Sequence, residues 1–201
     1  PNLSSRFFVP ISYDEIGLSP PMRCPEGLLA DLDHITEAEE ANLLAFLSLQ
    51  KWTKAGKWRE EYQYGYGYLH EERRVINLVA IPDELLWIVN SLSGARYPPV
   101  SPNQFIAIRY TPPYELPAHR DAHVFDGTIH TLCLGSGVAL MFHNGERRYD
   151  MEHPRRAMVT MGGYSRKICT HCILPGETEL MGGEVVKRGI RYALTFRRVL
   201  D

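Results

Sequence analysis

From Asn103 onward the chain breaks into short runs, QFIAIRY, TIHTLCLG, VALMFH, RAMVTM, RKICTHCIL and IRYALTFRRV, separated by the turn signals PPY, GS, NGE and PGE. Runs of this length, alternating or continuously apolar and punctuated by Gly and Pro, fit strands better than helices. About seven strands at this spacing fold as two packed sheets, a β-sandwich or a jelly roll. The preceding segment has a different character. Thr36 followed by Glu39 is a capping-box signature at the head of TEAEEANLLAFLSL, so a helix starts there. A second helix is predicted over 82–92, with Pro82 at its start and Gly94 past its end. Residues 1–35, broken by Pro20, Pro21 and Pro25, read as an extended arm. The expected architecture is α+β, mainly β. It comprises the arm and a domain over 36–201, with a helical and lid part at 36–100 packed against a jelly-roll core at 101–199.

Composition narrows the function classes. Apolar residues are 44% and charged residues 23% of 201, near the globular average, which excludes disorder as the general character. No run approaches the ~18 apolar residues of a spanning helix, and PNLSSRFFVP has no secretory apolar core, so no membrane partner is expected. Four cysteines do not make a disulfide framework, which points to a reducing compartment, cytoplasmic or nuclear. A net charge of −2 argues against gripping nucleic acid by bulk charge alone. Residues 1–100 nevertheless carry 9 basic and 14 acidic groups, whereas 101–201 carry 13 and 10, so an anionic ligand belongs with the second half.

His119-Arg120-Asp121 is the one His-x-Asp in the chain. On an extended segment, residues i and i+2 project to the same side, so an imidazole and a carboxylate can face one point. His171 lies fifty positions later in a predicted strand that can fold back over the first. Two His and one carboxylate on one face of an ion is the facial triad of non-haem Fe(II) oxygenases. In a chain with eight histidines that pattern alone is weak. The last predicted strand adds to it: Arg191, Ala193, Thr195 and Arg197 share one face, and Tyr192, Leu194 and Phe196 the other. Two arginines on a face beside the His/Asp set form an anion site, since Arg suits bidentate carboxylate recognition.

NQFIAIRYTPPYELPAHRD, GYSRKICTHCI and RYALTFR together resemble the AlkB family of Fe(II)- and 2-oxoglutarate-dependent dioxygenases, over roughly residues 36–199. The resemblance implies a double-stranded β-helix fold. It implies His119, Asp121 and His171 as iron ligands, Arg191 as partner of the distal carboxylate of 2-oxoglutarate, and Tyr110 as its assistant. Arg197 is then the second arginine of the motif, near the metal-proximal carboxylate or the substrate. Two departures concern the cosubstrate: Ile108 and Ala193 stand where the bacterial archetype has Asn, and both remove hydrogen-bonding groups. The implied cofactors are Fe(II), 2-oxoglutarate and O2, and the implied reaction is oxidation of a C–H bond. The expected partner is methylated or otherwise modified nucleic acid, undergoing N-demethylation or hydroxylation, with RNA slightly favoured over DNA. The alternatives are the same chemistry on a protein side chain or a lipid, and a jelly-roll binding module without catalysis.

Tyr62, Tyr64, Tyr66 and Tyr68 alternate with other residues, which predicts one aromatic face able to cover a flipped base or, equally, to cover the core. His123 and Arg120, beside the His-x-Asp, are further substrate candidates. His70, Arg73 and Arg74 follow the tyrosines and read either as phosphate contacts or as a solvated turn. Cys169-Thr-His-Cys172 offers two zinc ligands where a structural site wants four. His143 and His153, beside turn-like sequence, are predicted at the surface.

Overall fold

The computed structural model describes residues 25–69, 71–91, 101–145 and 147–200. Its elements run β1 (Leu28–Asp31), α1 (Glu37–Ser48), β2 (Thr53–Lys54), β3 (Arg59–Leu69), β4 (Arg74–Asn77), α2 (Asp83–Asn90) and β5 (Gln104–Tyr110). The chain continues through β6 (Tyr114–His119), β7 (Ile129–Gly135), β8 (Val138–His143), β9 (Arg148–His153), β10 (Met158–Met161), α3 (Gly163–Lys167) and β11 (Thr170–Gly176). A hairpin of β12 (Thr178–Met181) and β13 (Glu184–Lys187) precedes the last strand, β14 (Arg191–Arg197). No helix among the described residues is long and apolar enough to cross a membrane.

Two sheets face each other, as the run of short strands predicts. The larger has the order β1-β10-β7-β14-β5-β3-β2, with β4 on β3, and the smaller β6-β11-β8-β9. All of these pairs are antiparallel. This is a jelly roll. Strand β14 lies at the centre of the large sheet, between β7 and β5, and its alternation does what its sequence requires. Ala193 faces the space between the sheets, packed with Tyr110, Tyr114, Phe142 and Ile173. Leu194 and Phe196 face the opposite way, into a second apolar layer with Leu43 and Leu47 of α1 and Leu85 and Ile88 of α2. The helices therefore cover the outer face of the large sheet and leave its inner face for the site.

Helix α1 begins with the capping box that Thr36 and Glu39 predict: Glu39 N–H donates to Thr36 Oγ1 and the Thr36 N–H to the Glu39 carboxylate. The next glutamate, Glu40, is not a surface acid. It is fully buried, accepts from Gly135 N–H at 2.8 Å and pairs with Arg155, tying α1 to the turn between β7 and β8.

Three features differ from the sequence reading. The expected arm lies partly outside the described residues, and its end, Leu28–Asp31, is an edge strand paired with Met158–Met161. The 36–100 segment also supplies strands: β3 pairs with β5 over seven positions and widens the large sheet. The third concerns the tyrosines, which do not share a face. Tyr62 and Tyr64 pack in the outer layer with the helices, whereas Tyr66 and Tyr68 pack between the sheets. The switch occurs at Gly65, whose φ of 74° is a left-handed value that glycine adopts without strain. There Gly65 N–H donates to Val79 O and Tyr66 N–H to Asn103 O, so the strand alternation is broken in mid-run.

Candidate metal and anion site

Strands β6 and β11 are antiparallel neighbours, and their register sets His119 directly opposite His171. Opposed residues on paired strands have closely spaced side chains, and here the two ring centroids are 4.3 Å apart. Asp121 lies two residues past His119, beyond the end of β6, and brings a carboxylate oxygen to 3.8 Å from His171 Nε2. Ligand atoms of His119, Asp121 and His171 all lie within 4.8 Å of one another, and no other cluster of this kind occurs among the described residues. His119 Nδ1 lies 2.9 Å from the Pro117 carbonyl, which can only accept, so Nδ1 carries the proton and Nε2 keeps its lone pair.

Electrostatics put His171 and Asp121 in metal-binding protonation states. Burial pushes His171 down to about 4; His119, Arg197 and Arg166 add to this while Asp121 opposes it, leaving the imidazole neutral at pH 7. Burial alone would raise Asp121. The Arg197 guanidinium, 2.8 Å from its Oδ1, outweighs that together with His171, His119 and Arg166, and the carboxyl stays below its ordinary range. Arg166, from α3, donates to the carbonyls of Asp121, Ala122 and Phe125 at 3.1, 2.8 and 3.3 Å, fixing the loop that presents Asp121. Two imidazoles, His171 neutral among them, and an ionised carboxylate, with His119 and the Asp121 loop held by outer partners, fit a divalent iron.

Deeper between the sheets, Arg191 is 2% exposed and forms no ion pair among the described residues. Its Nε has no hydrogen-bond partner, and its guanidinium carbon lies 5.4 Å from the ring of Tyr110, its register partner on β5. One terminal nitrogen lies 3.3 Å from His153 Nδ1. His153 donates from Nε2 to Ala157 O, so its Nδ1 is the acceptor; burial and then Arg191 push it down to about 3, keeping it neutral. A buried cation without an anion costs several kcal/mol. The residues therefore fit an anionic ligand, and the carboxylate of a keto diacid meets that need.

No protein-family model matches the chain. The tRNA (carboxymethyluridine(34)-5-O)-methyltransferase ALKBH8 of Mus musculus is 29% identical over 203 residues, covering 87% of this chain and 31% of that protein. The Xenopus tropicalis protein of that name is 26% identical over 207 residues, covering 90% and 33%. The chain thus spans about a third of the length of these curated relatives. Among solved structures, OsALKBH1 aligns with a TM-score of 0.71 at 15% identity, over 89% of this chain and 100% of that one. The chain has an AlkB-like 2-oxoglutarate oxygenase fold. An oxidoreductase of the 2OG-Fe(II) oxygenase family from Burkholderia pseudomallei is also similar, with a TM-score of 0.57 at 11% identity over 85% of this chain and 83% of that one.

Within the AlkB-like fold the remaining candidates divide. Tyr68 stacks edge-on to Phe125 at 5.5 Å, and Phe125 lies under the Arg197 guanidinium at 4.5 Å, so Tyr68 is three contacts from Asp121. Tyr66 packs in the same layer. Tyr64 does not: its ring lies 4.8 Å from Tyr62 and 6.1 Å from Phe105, on the helix side of the sheet. Arg120 is exposed and reaches the Lys167 carbonyl at 3.4 Å. His123 is exposed on the loop after Asp121, where strand alternation does not apply. Cys133, Cys169 and Cys172 are free thiols. Arg73 and Arg74 are exposed, whereas His70 lies outside the described residues. His143 is at the surface as expected, but His153 is fully buried because β9 ends inside the sandwich. Sequence reasoning missed both His153 and Arg166; the signal for Arg166 was its place in GYSRK, immediately before the strand that holds His171.

Proposed function

We propose that the protein is an Fe(II)- and 2-oxoglutarate-dependent dioxygenase that oxidises a C–H bond of a modified base in RNA, by hydroxylation or N-demethylation. The observation that carries this reading is the convergence of His119, Asp121 and His171 in one half of the sandwich, with an uncompensated Arg191 in the same interior. His119, Asp121 and His171 would hold the iron, and Arg191, seated by His153 and Tyr110, the distal carboxylate of 2-oxoglutarate. Bound together, these groups supply an oxidant for C–H bonds, the two further electrons coming from decarboxylation of the cosubstrate. The chain's own tasks are narrower. Arg197 keeps Asp121 ionised, Pro117 O orients the His119 imidazole, Arg166 holds the Asp121 loop, and the paired sheets exclude water.

RNA is favoured because the curated relatives are named for a modified uridine in tRNA, and because Tyr66 and Tyr68 offer aromatic surface close to Phe125 and Arg197. The methyl transfer in that name is not assigned here, since a His/Asp/His set is suited to a metal rather than to a methyl donor. A reducing cytoplasmic or nuclear compartment suits both RNA and the free thiols. The test is 2-oxoglutarate turnover with a panel of modified RNA and DNA oligonucleotides, reading succinate, released formaldehyde and +16 products. His119→Ala, Asp121→Ala and Arg191→Ala should each abolish succinate formation; turnover that survives all three rules the proposal out. Products on peptides but not oligonucleotides would keep the chemistry and replace the substrate.

A further inference from the structure

Resting on the proposed oxygenase reading, we infer that Tyr114 is a cosubstrate-binding residue whose phenol hydrogen-bonds the 2-oxoglutarate carboxylate held by Arg191, in place of the amides that Ile108 and Ala193 leave out. Tyr114 is the first residue of β6 and is 0% exposed, yet its hydroxyl meets no partner in good hydrogen-bond geometry, although the Ser136 side chain is close enough to act on it. A phenol withdrawn from water without a partner is a standing cost, and buried Tyr hydroxyls are normally satisfied. Its surroundings indicate what satisfies it. The Tyr114 ring lies 5.4 Å from that of Tyr110, which in turn lies 5.4 Å from the Arg191 guanidinium. Arg191 is also the strongest charge acting on the phenol. Two unsatisfied buried donors, Arg191 Nε and Tyr114 Oη, thus belong to one interior region, in which Ile108 and Ala193 are apolar.

The ring is also clamped. Arg188 stacks over Tyr114 at 5.0 Å, donates to the carbonyls of Tyr114, Leu174 and Gly176, and pairs with Glu179. The β12–β13 hairpin and the link from it to β14 therefore hold the Tyr114 ring and backbone, as a preorganised donor requires. A merely structural tyrosine would seat its hydroxyl firmly on the protein; this one has only a loose approach to Ser136.

The experiment compares wild type, Tyr114→Phe and Arg191→Ala by calorimetric titration of 2-oxoglutarate into protein loaded with Mn(II), without O2. Pyruvate, which lacks the distal carboxylate, is the control ligand. Tyr114→Phe should weaken 2-oxoglutarate about ten-fold or more, the equivalent of one hydrogen bond to a charged acceptor, and leave pyruvate unchanged. Without ligand the variant should melt within about 1 °C of wild type, because the hydroxyl it loses makes no well-formed hydrogen bond. Unchanged 2-oxoglutarate affinity in Tyr114→Phe, with binding lost in Arg191→Ala, would overturn the inference and leave the oxygenase reading standing. No binding by wild type would remove both.

Discussion

Replacing Arg191 by Met removes a guanidinium that is 2% exposed, has an unpartnered Nε and meets no anion among the described residues. In ligand-free protein that charge is a net cost. Leaving a buried donor unmet costs about 1–3 kcal/mol, and apolar replacements of buried charges are often stabilising by a similar amount. The substitution also takes away the donor to His153 Nδ1, which returns about 1 kcal/mol of that gain. A net stabilisation of about 1 kcal/mol remains, equivalent to a melting temperature about 2–4 °C higher for a chain of this size. With Mn(II) and 2-oxoglutarate at 100 times its dissociation constant, wild type should gain about 2.7 kcal/mol and the variant nothing. The order of stabilities therefore inverts on adding ligand. Thermal melts with and without the pair of ligands read both arms. A variant that melts below wild type without ligand would mean that Arg191 is already compensated, and the anion-site reasoning would fail.

Glu40→Ala should cost about 1–3 kcal/mol in chemical denaturation, since it orphans Gly135 N–H and releases the half-exposed Arg155 from its buried partner. Gly65→Ala should destabilise more than a helix-surface substitution does, because a Cβ there lies under 3.0 Å from the Asn103 carbonyl and the backbone φ is positive; an unchanged melting temperature would contradict the assigned strand break. Acid stability gives a further check. Burial, with His34 adding, holds His130 down at about 4, below its unfolded value, so its contribution is present above pH 6.5 and lost as pH falls towards 4. Between those limits His130→Gln should reduce the pH slope of unfolding free energy by about 1.4 kcal/mol per pH unit; an identical slope would place His130 in water.

The parts of the molecule that were legible beforehand obey local rules. Strand β14 shows its two faces by simple alternation, and the Thr36 cap announces α1 by its spacing to Glu39. His119 and Asp121 were legible as a pair because only two positions separate them, although Asp121 turns out to sit past the strand end rather than on it. The tyrosine run misled because period-2 counting assumes an unbroken strand, and Gly65 breaks it. The glycines inside the strand pattern, Gly65 and Gly67, were the available warning. The burial of Glu40, the seating of Arg191 by His153 and the grip of Arg166 on the Asp121 loop join residues 38 to 95 positions apart. No spacing rule reaches that far, and each becomes visible when the sheets are in register.

The mid-strand change of face in β3 divides responsibility within a single stretch of eleven residues. Upstream of Gly65, Tyr62 and Tyr64 belong to the layer beneath the helices; downstream, Tyr66 and Tyr68 belong to the space between the sheets. On the proposed oxygenase reading, exchanges at Tyr66 and Tyr68 act on what the interior accepts, whereas exchanges at Tyr62 and Tyr64 act on the stability of the outer layer.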